Sequence, residues 1–359
     1  MNIRTGLTFD DVLLVPSHSD IPSRSEIDLS VDLGKGIKLH VPIVSANMKN
    51  VTEIQMAKAV TDIGGLAILH RFNLIGEQVA MLISTNTSKG LVGAAIGVQG
   101  EDKERAAALV DHGCHVICID VAHGDNDNCI RMTEHIAKTY PHVLLISGNV
   151  ATRHGALRLH NAGADVIKVG IGGGSLCTTR IETGNGVPQM TALEDVYEAS
   201  KIQETDPSWV SSDLPASKEY ILKPWIGKRK FTIISDGGIR KGGDIVKACC
   251  FSDCVMIGNI LAGTDEAPGK VVHIDGQRYK EYAGSSTHKT SRVEGVSALV
   301  PCKGPVKPIL EKLIEGIQSG LSYQGSHNLQ ELKEDPEFVS VSHAGLIESH
   351  PHDIIMRAK

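Results

Sequence analysis

The sequence predicts an α/β protein whose residues 1–359 form one domain, a (β/α)8 barrel of the TIM type. Eight short apolar, β-rich runs recur along the chain, and amphipathic stretches with helical periodicity separate most of them. Fully apolar strands that alternate with helices are typical of a parallel sheet covered on both faces. Eight such units in one domain favour a closed barrel. A doubly wound open sheet is the competing fold, but no Gly-x-Gly-x-x-Gly fingerprint opens a helix after the first run.

The repeating units follow one another along the chain. The first run is PIVSANM, and the stretches DKERAAALVDHG and TRHGALRLHNAGA show the helical pattern that separates later runs. The sixth run, DVIKVGI, leads directly into a glycine-rich loop. The eight predicted strands are 42–48, 65–70, 93–98, 115–122, 143–149, 165–171, 231–238 and 254–259.

Three segments depart from the simple repeat. Residues 204–230 separate strands six and seven, contain both tryptophans and have the composition of an irregular insertion rather than of a helix. After strand eight, residues 271–284 predict a β-hairpin that turns at Asp275-Gly276. A helix is expected over about 305–321. No change in composition marks the boundary of a second domain.

The bulk composition disfavours several classes of protein. Apolar residues make up 41% of the chain and the formal net charge is −6, so neither nucleic acid nor an anionic membrane is indicated as a partner. No uncharged apolar stretch approaches the length of a transmembrane helix, and MNIRTGLTFDD does not predict a signal peptide. The eight cysteines form no Cys-x-x-Cys pair and no metal-type spacing. We expect a reduced, cytoplasmic protein.

The loop after strand six carries the strongest chemical signal in the chain. Residues 170–189 read GIGGGSLCTTRIETGNGVPQ, and Cys177 lies between two glycine-containing stretches. Glycines accept positive φ and let the backbone approach a ligand closely, and a thiol on such a loop is a candidate covalent nucleophile. A buried, inert cysteine is the alternative. The polar neighbours Ser175, Thr179 and Arg180 favour the reactive thiol.

The working residues of such a barrel lie just past the carboxyl ends of its strands. Glycine-rich turns follow strands seven and eight, at Asp236-Gly237-Gly238 and at Gly258-Asn259. Backbone N–H groups and helix dipoles at these turns predict a phosphate site, and Asp236 suits the hydroxyls of a ribose. Further polar or chemically useful groups at strand ends and nearby are Ser45, Asn47, Met48, His70, Arg71, Asp120, Asn149, Gly174, Ser175, Tyr282, Gly284 and Ser285.

These segments resemble the IMP dehydrogenase/GMP reductase family over nearly the whole chain. The motifs that carry the resemblance are LTFDDVLLVP (7–16), IDVAHGD (119–125), GNVAT (148–152), GIGGGSLCTTR (170–180), SDGGI (235–239), VMIGNILAGTDEAPG (255–269), YKEYAGSS (279–286), VEG (293–295) and AGLIESHPHD (344–353). The resemblance implies a barrel that assembles as a homotetramer or higher oligomer. It also implies a purine nucleoside monophosphate as substrate, beside a nicotinamide cofactor, NAD or NADP. The tandem regulatory CBS domain of many members is absent, because residues 70–84 run directly into the next barrel unit.

The resemblance also implies roles for individual residues. Cys177 matches the nucleophile that attacks the purine, and Thr179 matches the threonine that positions water or ammonia. The positions that bind the nucleotide are Ser45, Met48, Ser175, Asp236, Gly237, Gly238, Gly258, Asn259, Tyr282, Gly284, Ser285, Glu294 and Gly295. The positions beside the nicotinamide are Asp120, His123, Asn149, Gly170 and Gly172. The positions of a potassium site (K+) are the carbonyls of Gly172, Gly174 and Cys177, with Glu348, Ser349 and His350 from a neighbouring subunit's tail.

Two reactions fit these residues, and the shortened flap at 284–295 does not separate them. The favoured reaction is that of an IMP dehydrogenase, which converts IMP, NAD+ and water into XMP and NADH. The alternative is the NADPH-dependent reduction of GMP to IMP and ammonia, and a further alternative is a divergent nucleotide-binding member with an altered substrate or no turnover. The flap lacks the Arg-Tyr pair of dehydrogenases and the glutamate of reductases. Its candidate acid–base residues are Arg292 and His288, although His288 also suits a solvated loop position.

Overall fold

The computed structural model describes residues 3–85, 91–201, 230–283 and 297–351. Within these ranges the strands, in chain order, are β1 (Val12–Leu14), β2 (Val31–Gly34), β3 (Ile37–Leu39), β4 (Ile43–Ser45), β5 (Leu66–Leu69), β6 (Leu91–Ile96), β7 (Val116–Asp120), β8 (Leu144–Val150), β9 (Val166–Val169), β10 (Thr232–Asp236), β11 (Cys254–Ile257), β12 (Val271–Ile274), β13 (Gln277–Ala283), β14 (Ser297–Pro301) and β15 (Phe338–Ser340). The α-helices are α1 (Ile54–Asp62), α2 (Ile75–Thr85), α3 (Asp102–Asp111), α4 (Asp127–Thr139), α5 (Arg153–Asn161), α6 (Thr179–Thr183), α7 (Gln189–Lys201), α8 (Gly242–Cys249), α9 (Lys307–Gln324) and α10 (His343–Glu348).

Eight parallel strands, β4 to β11, close into a barrel in chain order, and the pairing of β11 with β4 completes the ring. Each strand overlaps one of the eight predicted apolar runs, so the predicted (β/α)8 barrel is confirmed. Strands covered by helices outside and by side chains inside have no solvated face. All four residues of β5 are therefore fully buried, and the four residues of β11 are at most 2% exposed.

The helices cover the barrel because their sequences are amphipathic. In α4, Cys129, Met132 and Ile136 recur at helical spacing and face the core with at most 5% exposure. Asn126 begins this helix, and its side chain accepts hydrogen bonds from the N–H groups of Asn128 and Cys129. These caps and apolar stripes set the helices between successive strands, so every strand of the barrel points the same way.

Three smaller sheets lie outside the barrel: β1 with β15, β2 with β3, and β12 with β13 and β14. The predicted hairpin is β12–β13, and its turn residues Asp275 and Gly276 have φ of 48° and 77°. These positive values are those of a two-residue hairpin turn. The predicted helix at 305–321 is α9, which extends a few residues further, to Gln324.

Only five residues, 86–90, separate α2 from β6, so no regulatory tandem domain is inserted there. Residues 204–229 of the predicted insertion and the whole of the predicted flap, 284–295, lie outside the described residues. Among the helices in the described ranges, none has the length and apolar character needed to cross a bilayer.

Candidate active site

Two adjoining cavities open at the carboxyl ends of the barrel strands. The first has a volume of about 260 Å³ and is lined by Cys177, Asp120 and Lys168 among others. The second has a volume of about 400 Å³ and is lined by Gly238 and Gly258 among others. One set of residues, at four strand ends and in the cysteine loop, lines both cavities. The shared lining residues are Ala46, Met48, Gly173, Gly174, Ser175, Asp236, Gly237, Met256 and Tyr282.

The cysteine loop begins where β9 ends, and its glycines are required by close backbone packing. Gly170 has a φ of 148°, and a Cβ atom there would lie 1.9 Å from the carbonyl oxygen of Asp236. The Gly170 N–H donates to the carbonyl of Val150 at 2.8 Å. No larger residue fits between the two backbones, so the loop leaves the strand along a fixed path.

Cys177 is half-buried at the wall of the first cavity, and its Sγ lies 3.1 Å from Oγ1 of Thr179. Most other described cysteines are fully buried, and burial raises the pKa of the Cys114, Cys118 and Cys249 thiols to about 12. Those thiols stay protonated and inaccessible near neutrality. The accessible thiol that faces both a hydroxyl partner and a cavity is therefore the one on the glycine-rich loop.

Arg180 holds this loop in place. Its Nη2 donates to the carbonyls of Val187 at 2.7 Å and Ile171 at 3.4 Å, which lie on either side of the cysteine. The aliphatic part of the side chain packs against Gly172 and Gly186, where added Cβ atoms would lie 2.5 and 2.6 Å from Arg180 Cγ. The two ends of the loop are thus tied to one side chain on α6.

The second cavity has the composition expected of a phosphate site. Gly237 and Gly238 follow β10 with φ of 111° and 80°, and Gly258 follows β11. Backbone N–H groups of such turns can approach an anion closely because no Cβ intervenes. The Tyr282 hydroxyl lies 3.4 Å from the Ser175 hydroxyl and near the Met48 sulfur. Burial raises the pKa of Tyr282, so its proton remains available for donation.

A buried ion network connects the two cavities. The Lys168 Nζ on β9 donates to Oδ1 of Asp120 at 2.7 Å and to Oδ2 of Asp236 at 2.9 Å. Asn149 Nδ2 donates to the same Oδ2 of Asp236 at 2.9 Å and to the carbonyl of Gly170 at 2.8 Å. Burial disfavours a charged Asp120, but Lys168, Arg71 and Asn47 together outweigh burial and lower the pKa of that carboxyl below its ordinary value. For Lys168, the two carboxylates outweigh burial and raise its pKa.

Two buried polar atoms at the first cavity have no hydrogen-bond partner among the described residues: Asn149 Oδ1 and Arg71 Nε. The Arg71 guanidinium lies over the Phe72 ring, 4.9 Å from its centroid. A buried polar group without a partner costs free energy. One unpartnered acceptor and one unpartnered donor that line the same cavity suit a ligand that carries an amide.

The predicted residues that the structure brings together line one or both cavities. They are Met48, Asp120, Asn149, Gly170, Gly172, Gly174, Ser175, Cys177, Thr179, Asp236, Gly237, Gly238, Gly258, Asn259 and Tyr282.

Five other predicted residues lie elsewhere. Ser45 is fully buried in β4 and lines neither cavity, and His123 is exposed beyond the end of β7. Glu348, Ser349 and His350 are exposed at the end of α10. The remaining predicted positions lie outside the described residues: Gly284, Ser285, His288, Arg292, Glu294 and Gly295.

Sequence reasoning assigned no role to Lys168, although the structure places it at the centre of the site. The signal was the lysine in the apolar run DVIKVGI, because a charged residue in a strand buried on both faces needs a partner. Arg71, at the end of a predicted strand, lines the first cavity.

A closed barrel with a thiol, glycine-rich turns and a charged network at the carboxyl ends of its strands has the organisation of an enzyme. The family model described as "IMP dehydrogenase / GMP reductase domain" matches residues 6–213 and 221–352. The chain belongs to this family, whose members are oxidoreductases.

Proteins named inosine-5'-monophosphate dehydrogenase and proteins named GMP reductase both resemble the chain. It is 34% identical to the inosine-5'-monophosphate dehydrogenase of Borreliella burgdorferi, over 98% of this chain and 98% of that protein. It is 32% identical to the GMP reductase of Leishmania major, over 97% of each. The crystal structure of a cysteine-to-alanine variant of GMP reductase from Trypanosoma brucei, in complex with guanosine 5'-monophosphate, superposes with a TM-score of 0.86. That chain is 30% identical, and the match covers 98% of this chain and 99% of that one.

Proposed function

We propose that the protein is a purine nucleotide oxidoreductase that acts as an IMP dehydrogenase, converting IMP, NAD+ and water into XMP and NADH. The observation that carries this proposal is that the Cys177 thiol opens on a cavity joined to the glycine turns after β10 and β11. A nucleotide whose phosphate binds the turns would place its base toward the thiol. Asp236 lies between them, where its carboxylate suits the ribose hydroxyls.

In this proposal the Cys177 thiolate adds to C2 of IMP, so that a carbon–sulfur bond forms while the π electrons of the C2=N3 bond move to N3. The C2=N3 bond re-forms as the hydrogen at C2 leaves as hydride, for which a nicotinamide cofactor bound in the first cavity would supply the acceptor. Water attacks the resulting thioimidate, the carbon–sulfur bond breaks, and XMP and the free thiol are released. The Thr179 hydroxyl, 3.1 Å from Sγ, is placed to orient the attacking water.

The unpartnered atoms of the first cavity fit the cofactor. Asn149 Oδ1 would accept a hydrogen bond from the carboxamide N–H of a nicotinamide, and Asp120 would face its ribose. A potassium ion would lie at the carbonyls of Gly172, Gly174 and Cys177. The Gly174 carbonyl already accepts the Cys177 N–H at 3.1 Å, so an ion would share that oxygen. The homotetramer and the cytoplasmic location belong to the same proposal.

The reductase direction is the second candidate, because a GMP reductase superposes on nearly the whole chain. That reaction must protonate ammonia as it leaves, and it needs a general acid with a pKa near neutrality. Among the described residues that line the first cavity, Lys168 and Tyr282 have raised pKa values. They hold their protons too firmly for this role, and the candidate acid–base residues of the flap, His288 and Arg292, lie outside the described residues.

Absorbance of the reduced nicotinamide at about 340 nm separates the candidates. We expect the signal to rise when the protein is mixed with IMP and NAD+. A fall with GMP and NADPH, and no rise with IMP, would instead establish the reductase. Calorimetric binding of either nucleotide without turnover in both assays would identify a divergent member. Repeating the IMP assay with NADP+, and with sodium in place of potassium, tests the cofactor and the ion.

A further inference from the structure

Lys168 is a buried ammonium group in contact with both halves of the site. Its side chain is 2% exposed, and β9 carries it between the ends of β7 and β10. Asp120 ends β7 on the side of the proposed cofactor pocket, and Asp236 ends β10 on the side of the proposed nucleotide pocket. One ammonium group therefore bonds to a carboxylate at each of the two proposed pockets.

We propose that Lys168 is a positioning residue. Its ammonium group bonds to both carboxylates and so fixes Asp120 for the proposed cofactor pocket and Asp236 for the proposed nucleotide pocket. This inference rests on the proposed function for the identity of the two ligands. Lys168 needs no contact with the reacting atoms in this role. It sets the direction of the two carboxylates that would receive ribose hydroxyls.

The hydrogen-bond pattern leaves Asp236 ready to accept a ligand. Both Lys168 and Asn149 donate to Oδ2 of Asp236, and no described residue donates to Oδ1. The two donors fix the carboxylate plane, and Oδ1 stays available at the cavity wall. An acceptor that is already fixed binds a hydroxyl without the entropic cost of first ordering the side chain.

The charges around Lys168 explain why it is needed. The network contains two carboxylates and one ammonium, and both carboxylate oxygens contact the same nitrogen. They therefore lie within two hydrogen-bond lengths of each other. The other facing groups are Arg71 and Asn47, which interact with Asp120, and the Cys118 thiol of β7. Without Lys168, the two carboxylates would repel each other with no cation between them, which disfavours ionisation of both.

The test compares Lys168→Met, Lys168→Met/Asp120→Asn and the wild type. We expect Lys168→Met to bind IMP about 10- to 100-fold more weakly by calorimetry, because Asp236 then loses one of its two fixing donors and faces Asp120 with no cation between them. The double variant removes the competing carboxylate, so its affinity for IMP should return to within about fivefold of the wild type. Its affinity for NAD+ should stay low, since Asp120 is lost.

A second measurement needs no ligand. In Lys168→Met the pKa of the carboxylate pair is raised, so stability present at low pH is lost as the pH rises through the raised value. Relative to the wild type, the melting temperature of this variant should fall as the pH rises from about 4, the ordinary carboxyl pKa, toward the raised value, and the double variant should abolish the fall. Lys333→Met is the matched control, because Lys333 is also buried and paired, with Asp253 just before β11. That variant should lose stability without changing IMP affinity.

The inference is overturned if Lys168→Met binds IMP like the wild type, or if its melting temperature has the pH profile of the wild type. It is also overturned if the double variant binds IMP no better than the single one. Failure of the wild type to bind IMP or GMP would contradict the proposed function instead. The melting profiles would then still decide whether Lys168 holds the two carboxylates.

Discussion

At the scale of single residues, Cys177 differs from most of the other described cysteines in exposure and in surroundings. It faces a cavity and the Thr179 hydroxyl, whereas Cys118 and Cys249 are fully buried and their pKa values are raised to about 12. Cys302 is also half-buried, but it lies beside β14 and lines neither cavity. Exposure alone therefore does not identify Cys177 as the candidate nucleophile. Its exposure together with its place on the glycine-rich loop at the cavity wall does.

Cys177→Ala should abolish turnover with either IMP or GMP, because no carbon–sulfur bond can form. We expect a loss of at least about 1,000-fold in kcat, with nucleotide affinity kept within about fivefold. Steady-state rates and calorimetric titration of the same preparation measure both. Cys302→Ala serves as the control and should leave turnover intact. A Cys177→Ala enzyme that still turns over would contradict the covalent mechanism.

Residue patterns in the sequence predicted part of this site and missed part of it. Cys177 and Asp236 follow directly from their places after strands, because parallel strands present their carboxyl ends at one face. The same rule predicts Ser45, yet its side chain is fully buried and lines neither cavity. Side chains alternate along a strand, so a one-residue difference in register decides which side they face. Lys168 was missed because its two partners lie 48 and 68 residues away in sequence.

At the scale of elements, the cysteine loop is held by Arg180 as well as by its glycines. Loss of the bonds to Ile171 and Val187 frees the loop ends, while a methionine would keep the aliphatic packing against Gly172. Arg180→Met should therefore lower kcat about 10- to 100-fold, because a thiol displaced by about one ångström is poorly aligned. Nucleotide affinity should change by less than about fivefold, since the glycine turns after β10 and β11 are untouched.

Arg131→Met provides the comparison for this loop prediction. Arg131 is exposed on α4, and its contact with Asp127 is a surface pair at 3.9 Å, so the substitution should change neither rate nor stability measurably. Steady-state kinetics of both variants, with circular dichroism melting, distinguish the two sites. Equal kcat values for Arg180→Met and Arg131→Met would show that the clamp does not position Cys177.

At the scale of the whole molecule, the architecture was predictable because apolar runs and amphipathic stretches repeat eight times. A wrong boundary in one predicted unit does not change the number of units, and eight parallel strands covered on both faces fit a closed barrel. Individual buried polar groups have no such redundancy. Lys168, Asp120 and Asp236 come from β9, β7 and β10, and their contact depends on how the barrel strands are staggered. No short segment of the sequence encodes that stagger.

The same buried core predicts how stability depends on alkaline pH. Burial raises the pKa of Cys114, Cys118 and Cys249 to about 12, against an ordinary value of 9.0. A raised folded-state pKa contributes stability that is complete below the unfolded value and is lost as the pH rises toward the folded value. Between about pH 9 and pH 11, each thiol should remove up to about 1.4 kcal/mol of unfolding free energy per pH unit.

Thermal melts across this alkaline range measure the loss, and Cys249→Ala isolates the contribution of one thiol. The variant should melt lower than the wild type at neutral pH, because truncation leaves a small cavity in the core. Its melting temperature should nevertheless fall less steeply than that of the wild type above about pH 9, since one group no longer ionises on unfolding. Parallel slopes for Cys249→Ala and the wild type would show that the buried thiols do not govern alkaline unfolding.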